Sequence, residues 1–248
     1  MSNELTNRQF WVHYWESKND IVRDIHKDHM FSELLIPLCK SHLIKTAVEI
    51  GGFPGYFAVF LKKYCNVAPT IMDFFIHQHL SDKLMKANGI ATNDVKYVET
   101  DIFKADSSIK YDLVLSCGLI EHFNNTKQII EYHLPHLKKD GILFITLPNF
   151  KGLNGWIQKT FDRENYDKHN IGSMDIELLK KIANELGLKN YSVNYYGKFS
   201  VWLEDENQKP FWQQKLVKAI WFVGKVFSKI IPFESKLLSP NIVLIGQK

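Results

Sequence analysis

Thr46-Ala47-Val48-Glu49-Ile50-Gly51-Gly52-Phe53-Pro54-Gly55-Tyr56 is the stretch that decides how this chain folds. An apolar run passes through one acidic residue into a bend rich in glycine, and the residues from Tyr56 to Tyr64 then take up a helical pattern. A strand that turns through glycines into a helix lets a ligand approach bare backbone and aims the N–H groups of the helix start at it. Two common nucleotide sites are excluded by spacing. Counted from Gly51, Phe53 and Tyr56 stand where a Gly-x-Gly-x-x-Gly fingerprint needs its second and third glycines, and no P-loop Lys-Ser/Thr follows.

Working outward, strand-like runs fall at Ala47–Ile50, Thr70–Met72, Val95–Val98, Leu113–Ser116 and Ile142–Thr146. Helical patterns lie between them, at Tyr56–Lys63, His77–Asn88 and Lys127–Leu137, the last followed by the stop signal Lys138-Lys139-Asp140-Gly141. Alternating β and α units with continuously apolar strands predict a parallel sheet covered on both faces, an α/β fold. Ligands of such sheets bind beyond the carboxyl ends of the strands.

The chain has 248 residues, 45% of them hydrophobic, enough for one α/β domain with additions. Its net charge of +4 is spread along the sequence instead of gathered in arginine-rich tracts, and no basic appended domain stands out, so nucleic acid is not an expected partner. Cys39, Cys65 and Cys117 have no metal-ligand spacing and read as reduced thiols of a cytoplasmic protein; no metal is expected. Neither a secretory signal nor an apolar run near the ~20 residues that span a bilayer is visible.

Glu49, Gly51 and Gly55 resemble the first motif, acidic-x-Gly-x-Gly-x-Gly, of class I S-adenosylmethionine-dependent methyltransferases of the small-molecule type, with Phe53 replacing the middle glycine and Gly52 one place early. Four further stretches resemble that family in order: Asp73-Phe74 after the second strand, Glu99-Thr100-Asp101-Ile102-Phe103 after the third, Tyr111 through Phe123 around the fourth, and Leu137-Lys138-Lys139-Asp140-Gly141, like the family's post-helix turn, before the fifth. The resemblance covers roughly residues 45–190. It implies a Rossmann-like, seven-stranded, mostly parallel sheet with helices on both faces, closed by an antiparallel C-terminal pair from Tyr191–Tyr195 and Ser239–Gly246. It also implies S-adenosylmethionine as cofactor. Glu49, Gly51, Gly52 and Gly55 would hold its amino-acid end, Asp73 its ribose, and Phe74, Asp101 and Ile102 its adenine. Cys117 and Gly118 would border the methyl donor, and Tyr14, in the aromatic stretch Phe10–Trp15, would touch the methionine end from an N-terminal cover.

Methyl transfer from a sulfonium is an in-line displacement, so alignment and water exclusion supply much of the rate, on the order of 7–11 kcal/mol in well-oriented systems. A hydroxyl acceptor also needs a base, worth about 10²–10⁴-fold. His122, within Glu121-His122-Phe123, and His169, before the helix that follows the fifth strand, are the candidate catalytic residues. The long connection 148–172 carries Asn149, Gly152, Asn154, Gly155, Trp156, Arg163, Asn165 and Tyr166, and reads as the acceptor-binding insertion.

Residues 209–233 form a second informative segment. Lys215, Lys218, Lys225 and Lys229 share a narrow arc of a helical wheel, and apolar residues such as Trp212, Leu216, Phe222, Phe227 and Ile230 fill most of the rest. Such a helix could pack on the core, pair with a second subunit, or lie on the inner face of a membrane. The whole therefore divides into an N-terminal cover (1–44), a cofactor-binding core (45–147), the insertion (148–172) and a C-terminal half with the amphipathic helix (173–248). The expected activity is O-methylation of a small molecule, a sugar or glycolipid precursor. N- or C-methylation and a non-catalytic, methyltransferase-like binding or scaffolding subunit are the alternatives.

Overall fold

The apolar strands alternate their side chains between two cores, and that alternation builds the architecture. In the computed structural model, which describes residues 4–18, 20–230 and 234–248, strand β1 (Thr46–Ile50) points Ala47 into one core and Val48 and Ile50 into the other. Strand β4 (Tyr111–Cys117) sends Leu113 and Leu115 one way and Val114 the other. Strand β5 (Leu137–Pro148) divides Ile142 and Phe144 from Leu143, Ile145 and Leu147 in the same manner. A sheet that is apolar on both faces needs cover on both. One face is covered by helices α2 (Ser32–Ser41), α3 (Tyr56–Cys65) and α4 (Gln78–Ala87), the other by α5 (Thr126–His133) and α8 (Ile176–Glu185).

Strands β2 (Ala68–Asp73), β3 (Lys96–Glu99), β6 (Lys189–Tyr196) and β7 (Asn241–Gln247) complete one seven-stranded sheet in the order β3-β2-β1-β4-β5-β7-β6. The first five strands are parallel, while β7 runs antiparallel between β5 and β6, as expected. The order reverses between β1 and β4, and that switch point opens the crevice in which sheets of this kind bind ligands.

Several boundaries differ from the sequence reading; the helix expected at Lys127–Leu137, for one, ends as α5 at His133, with Leu137 already in β5. Lys138–Gly141 lies inside β5 as an irregularity: Tyr111 pairs with Leu137 and Leu113 already pairs with Ile142, with Asp140 in the left-handed region at φ 61°. The expected helix 209–233 is α9, Phe211–Ile230; it starts after Pro210, whose carbonyl accepts the N–H of Gln213 and Gln214. Residues 1–3 and Asn19 of the expected cover, residues 231–233 of the expected helix, and the side chains of Lys229 and Ile230 lie outside the described residues. Within the cover, α1 (Arg8–Ser17) is capped by Asn7, whose side chain accepts the Phe10 N–H.

Candidate active site

The glycine turn is shaped by what crosses it. At Gly51 (φ 68°) an added Cβ would stand 2.8 Å from Leu119 Cδ1, and at Gly55 (φ 107°) it would stand 2.5 Å from Ile71 Cδ1. Both positions therefore need glycine for backbone conformation and for space. The turn's donors are already engaged within the protein. Gly51 and Gly52 N–H both point to Met72 O (2.8 and 3.4 Å), Phe53 N–H donates to Asp73 Oδ2 (3.1 Å), and Ala58 N–H, in the first turn of α3, donates to Glu49 Oε2 (3.0 Å). The expectation of free N–H groups aimed at a ligand is thus corrected for these four: Glu49 and Asp73 tie the turn down, and what the turn offers is close-approaching backbone.

Above the carboxyl ends of β1, β2 and β4 lies a cavity of about 400 Å³, within the range of small-molecule sites. Glu49, Gly51, Gly52, Asp73, Phe74, Asp101, Ile102, Cys117 and Gly118 all line it, and so does Tyr14. Gly55 does not; it sits one residue further, at the start of α3. Asp101 Oδ1 accepts the Phe103 N–H and caps the short turn that holds Ile102 against the cavity. Gly118, at φ 74°, donates its N–H to Thr146 O and so ties the end of β4 to β5.

Helix α1 roofs this wall. Arg8 donates through Nε to Phe74 O (2.9 Å) and pairs through Nη2 with Glu99 Oε1 (3.0 Å), joining the helix to the ends of β2 and β3. Trp15 meets Phe53 edge to face with ring centroids 5.2 Å apart, and Phe53 meets Phe75 at 5.6 Å. Tyr14 gives its hydroxyl to Glu204 Oε1 (2.9 Å), which fixes the ring at the cavity wall; burial and that carboxylate raise its pKa.

Glu121, His122 and His169 continue the lining beyond Gly118. His122 Nδ1 is 3.0 Å from Lys168 O and His169 Nδ1 is 2.7 Å from Asn165 O. A carbonyl can only accept, so each Nδ1 carries the proton and each Nε2 keeps a lone pair. The rings lie 4.7 Å apart, and Trp11 packs edge-on against His122 at 5.0 Å. Glu121 is 1% exposed, and its Oε2 has no hydrogen-bond partner among the described residues. One ligand atom from each of these three residues lies within 4.8 Å of the others. Ligands held about 2.1 Å from a tetrahedral cation would sit closer together, roughly 3.4 Å apart.

Burial dominates the charge states. It pushes Glu49 and Glu121 up to about 8 and Asp73 up to about 6. It presses His122 down to about 3, with His169 adding to the effect, and lowers His169 as well. Among the described residues six carboxyl groups line the cavity (Glu4, Glu49, Asp73, Asp101, Glu121 and Glu204); Glu49 and Glu121, pushed up by burial, are mostly protonated near pH 7, which leaves four against one lysine, Lys168. Such a wall favours a cationic ligand.

Residues of the long connection divide sharply. Asn149 is fully buried and donates to Lys236 O and Ser239 O, Asn154 is buried, Tyr166 stacks on Phe150, and Arg163 pairs with Asp167 on the surface. The connection forms helices α6 (Leu153–Phe161) and α7 (Arg163–Asp167). Of the eight residues singled out there, Asn165 alone reaches the cavity, joined by Lys168 and His169. Sequence reasoning did not find Trp202 and Glu204, which line the cavity from the segment after β6 and carry no local motif. Glu121 was quoted only as part of the Glu-His pair.

No protein-family model matches the chain, and no curated protein matches it in sequence. Solved structures do. A S-adenosylmethionine-dependent methyltransferase from Archaeoglobus fulgidus superposes with a TM-score of 0.53 at 16% identity, over 87% of this chain and 94% of its own. The plantazolicin methyltransferase BpumL, solved with a triazolic desmethyl-plantazolicin analogue and S-adenosylhomocysteine, gives 0.58 at 14% identity over 97% and 90%. An O-methyltransferase assigned as such only provisionally, from Nostoc punctiforme, gives 0.56 at 12% over 87% and 55%. The fold is that of the class I S-adenosylmethionine-dependent methyltransferases.

Proposed function

We propose that the protein transfers a methyl group from S-adenosylmethionine to a hydroxyl of a small molecule, a sugar or glycolipid precursor. The observation that carries this reading is a single cavity with two unlike walls: an acid-lined one at the ends of β1 to β4, and a corner formed by Glu121, His122 and His169. The first wall fits the cofactor. Asp73 supplies a carboxylate for a ribose hydroxyl, Phe74 and Ile102 supply apolar cover for a flat ring, and the surplus of carboxyl groups suits a cation. When bound, S-adenosylmethionine supplies an electrophilic methyl group on a sulfonium, which the acceptor oxygen takes while sulfur keeps the bonding electrons.

The chain's own residues then have three tasks. Trp11, Phe150 and Trp202 line the cavity with apolar surface that excludes water. Asn165, whose Nδ2 donates to Gln158 Oε1, and Lys168, whose Nζ pairs with Glu164, also line the cavity and could exchange these contacts for a hydroxylated acceptor. The acceptor's proton passes to an imidazole Nε2, that of His122 or His169, each oriented by its Nδ1 hydrogen bond. Burial makes His122 a weak base on its own, so proton removal has to accompany methyl transfer, when the oxygen is far more acidic than in the free alcohol. The three cysteines, sparse and without metal-ligand spacing, fit a reducing, cytoplasmic setting.

Calorimetric titration with S-adenosylhomocysteine, followed by transfer of labelled methyl groups to a panel of sugars and glycolipid precursors, tests the reading. Saturable binding with label on an acceptor oxygen is expected. No binding at millimolar ligand would sink it and favour the scaffolding alternative; label on nitrogen or carbon would overturn the oxygen assignment.

A further inference from the structure

Helix α9 is held in one orientation. Val217 and Ser228 are buried, and at Gly224 the backbone presses so closely on Phe199 that an added Cβ would stand 2.0 Å from its ring. With that seam turned inward, the 3.6-residue period sends Trp212, Leu216, Phe222, Val223, Val226 and Phe227 outward. They are exposed in the structure, Phe222 by 64% and Trp212 and Phe227 by 58% each. A contiguous aromatic and aliphatic face of this extent marks an interaction surface.

Its chemistry identifies the partner. The 20-residue helix contains Lys215, Lys218, Lys225 and Lys229 and no acidic residue, so it carries as many positive charges as the net +4 of the whole chain. Lys215 lies over the Phe211 ring and Lys225 over the Trp221 ring, while Lys218 pairs with Glu206 at 2.9 Å. The exposed lysines therefore flank the apolar face along one edge, where long side chains can reach lipid phosphates while the rings enter the headgroup layer. Beside the helix runs a groove of about 470 Å³ between Leu153, Phe199, Ile220, Val223, Phe227 and Leu238, with an almost wholly apolar lining that suits an acyl chain. Among the described residues no helix is long and apolar enough to cross a membrane, so the contact is with one leaflet.

We propose that α9 is a docking surface for an anionic lipid bilayer, lying in the headgroup plane with Trp212, Phe222 and Val226 inserted and Lys215, Lys218 and Lys225 against the lipid phosphates. This goes beyond the methyl-transfer reading and does not depend on it.

The test is co-sedimentation of the full chain with phosphatidylcholine vesicles, with and without 30 mol% phosphatidylglycerol (~30 mol% suffices for a strongly negative surface). Binding is expected to the anionic vesicles, to weaken in high salt, and to drop roughly fivefold for each of Lys215, Lys218 and Lys225 changed to Gln. The double variant Phe222→Glu/Val226→Glu is expected to stay in the supernatant. S-adenosylhomocysteine titration of each variant checks that the cavity is intact, and failure of that binding in the wild type would touch only the catalytic reading. Equal partition to neutral and anionic vesicles, no sedimentation with either, or a solution dimer that dissociates in the double variant would each overturn the proposal.

Discussion

Asp73→Asn removes one specific capacity from the site. Oδ2 of Asp73 accepts the Phe53 N–H at 3.1 Å and Oδ1 the Phe75 N–H at 3.2 Å. The Phe74 N–H also bonds this carboxylate, so of its about four acceptor sites roughly one remains for a ribose hydroxyl. An asparagine oxygen can hold one N–H group and one hydroxyl; its NH₂ then faces another N–H, donor against donor. The ligand loses one charge-assisted hydrogen bond, about 1.5–3 kcal/mol, or roughly 10- to 150-fold in affinity for S-adenosylhomocysteine. The pH dependence separates this from general damage. Burial holds Asp73 up to about 6, with Glu99 adding to the effect, so near pH 5 about a tenth of it is ionised, and wild-type affinity is expected to be roughly tenfold weaker there than at pH 7.5. In the variant that difference should vanish. Calorimetry on both proteins at both pH values, with melting curves to verify the fold, measures it. Wild-type affinity in a folded Asn variant, or a flat wild-type profile, would refute the assignment of Asp73 to the ribose.

Four further outcomes are expected. His122→Ala should lower turnover about 10²–10⁴-fold with S-adenosylhomocysteine affinity nearly kept, as single-turnover kinetics would show; unchanged turnover would leave His169 as the proton acceptor. Arg8→Ala, which frees α1 from Phe74 and Glu99, should weaken cofactor binding by roughly two- to fivefold with little change in melting temperature, since the ion pair is exposed. Chelation by EDTA should leave turnover unchanged if Glu121, His122 and His169 act as hydrogen-bonding groups; activity lost and then restored by a divalent ion would reassign the three as ligands. The ligand-free protein should be most stable near pH 6. Glu49 and Glu121, raised to about 8, lose their stabilising contribution as pH climbs from about 4.5 through 8, whereas His122, His29 and His133, lowered to about 3, 4 and 4, lose theirs as pH falls from about 6.5. A melting temperature that rises steadily to pH 8 would contradict that balance.

Why the sheet was legible in the sequence follows from its burial. Strands such as β1 and β4 are apolar on both faces because helices cover both, so they read as short continuous runs whose ends fall within a residue or two of those observed. The stop at Lys138–Gly141 had the right composition for a turn, but β5 pairs on either side of it, and long-range pairing is invisible to a local pattern. The same limit applies to the connection 148–172. Asn149 looks like a ligand-binding amide in sequence, whereas in the fold it satisfies the carbonyls of Lys236 and Ser239, nearly ninety positions away (|i−j| 87 and 90). Trp202 and Glu204 enter the site only because β6 delivers the segment after it to the cavity rim.

Phe53 shows how that limit bears on function. In sequence it occupies the place of a glycine that would let a ligand pass, and it could equally have marked a lost site. In the structure it is 3% exposed, its ring gripped by Trp15 and Phe75, and it lines the cavity beside Gly51 and Gly52. The bulky ring thereby becomes the seat on which α1 rests, and α1 in turn brings Trp11 and Tyr14 to the cavity. A smaller residue at 53 would leave the turn intact and remove the seat. Phe53→Ala should therefore cost about 3–5 kcal/mol of stability, the usual range for a buried phenylalanine, and should loosen α1 before the sheet. Hydrogen exchange would register this as residues 8–17 falling to the protection of an open segment, while β1 and β4 stay protected and lose only what the drop in global stability takes from them. Protection lost evenly across both would show that α1 is held by other contacts.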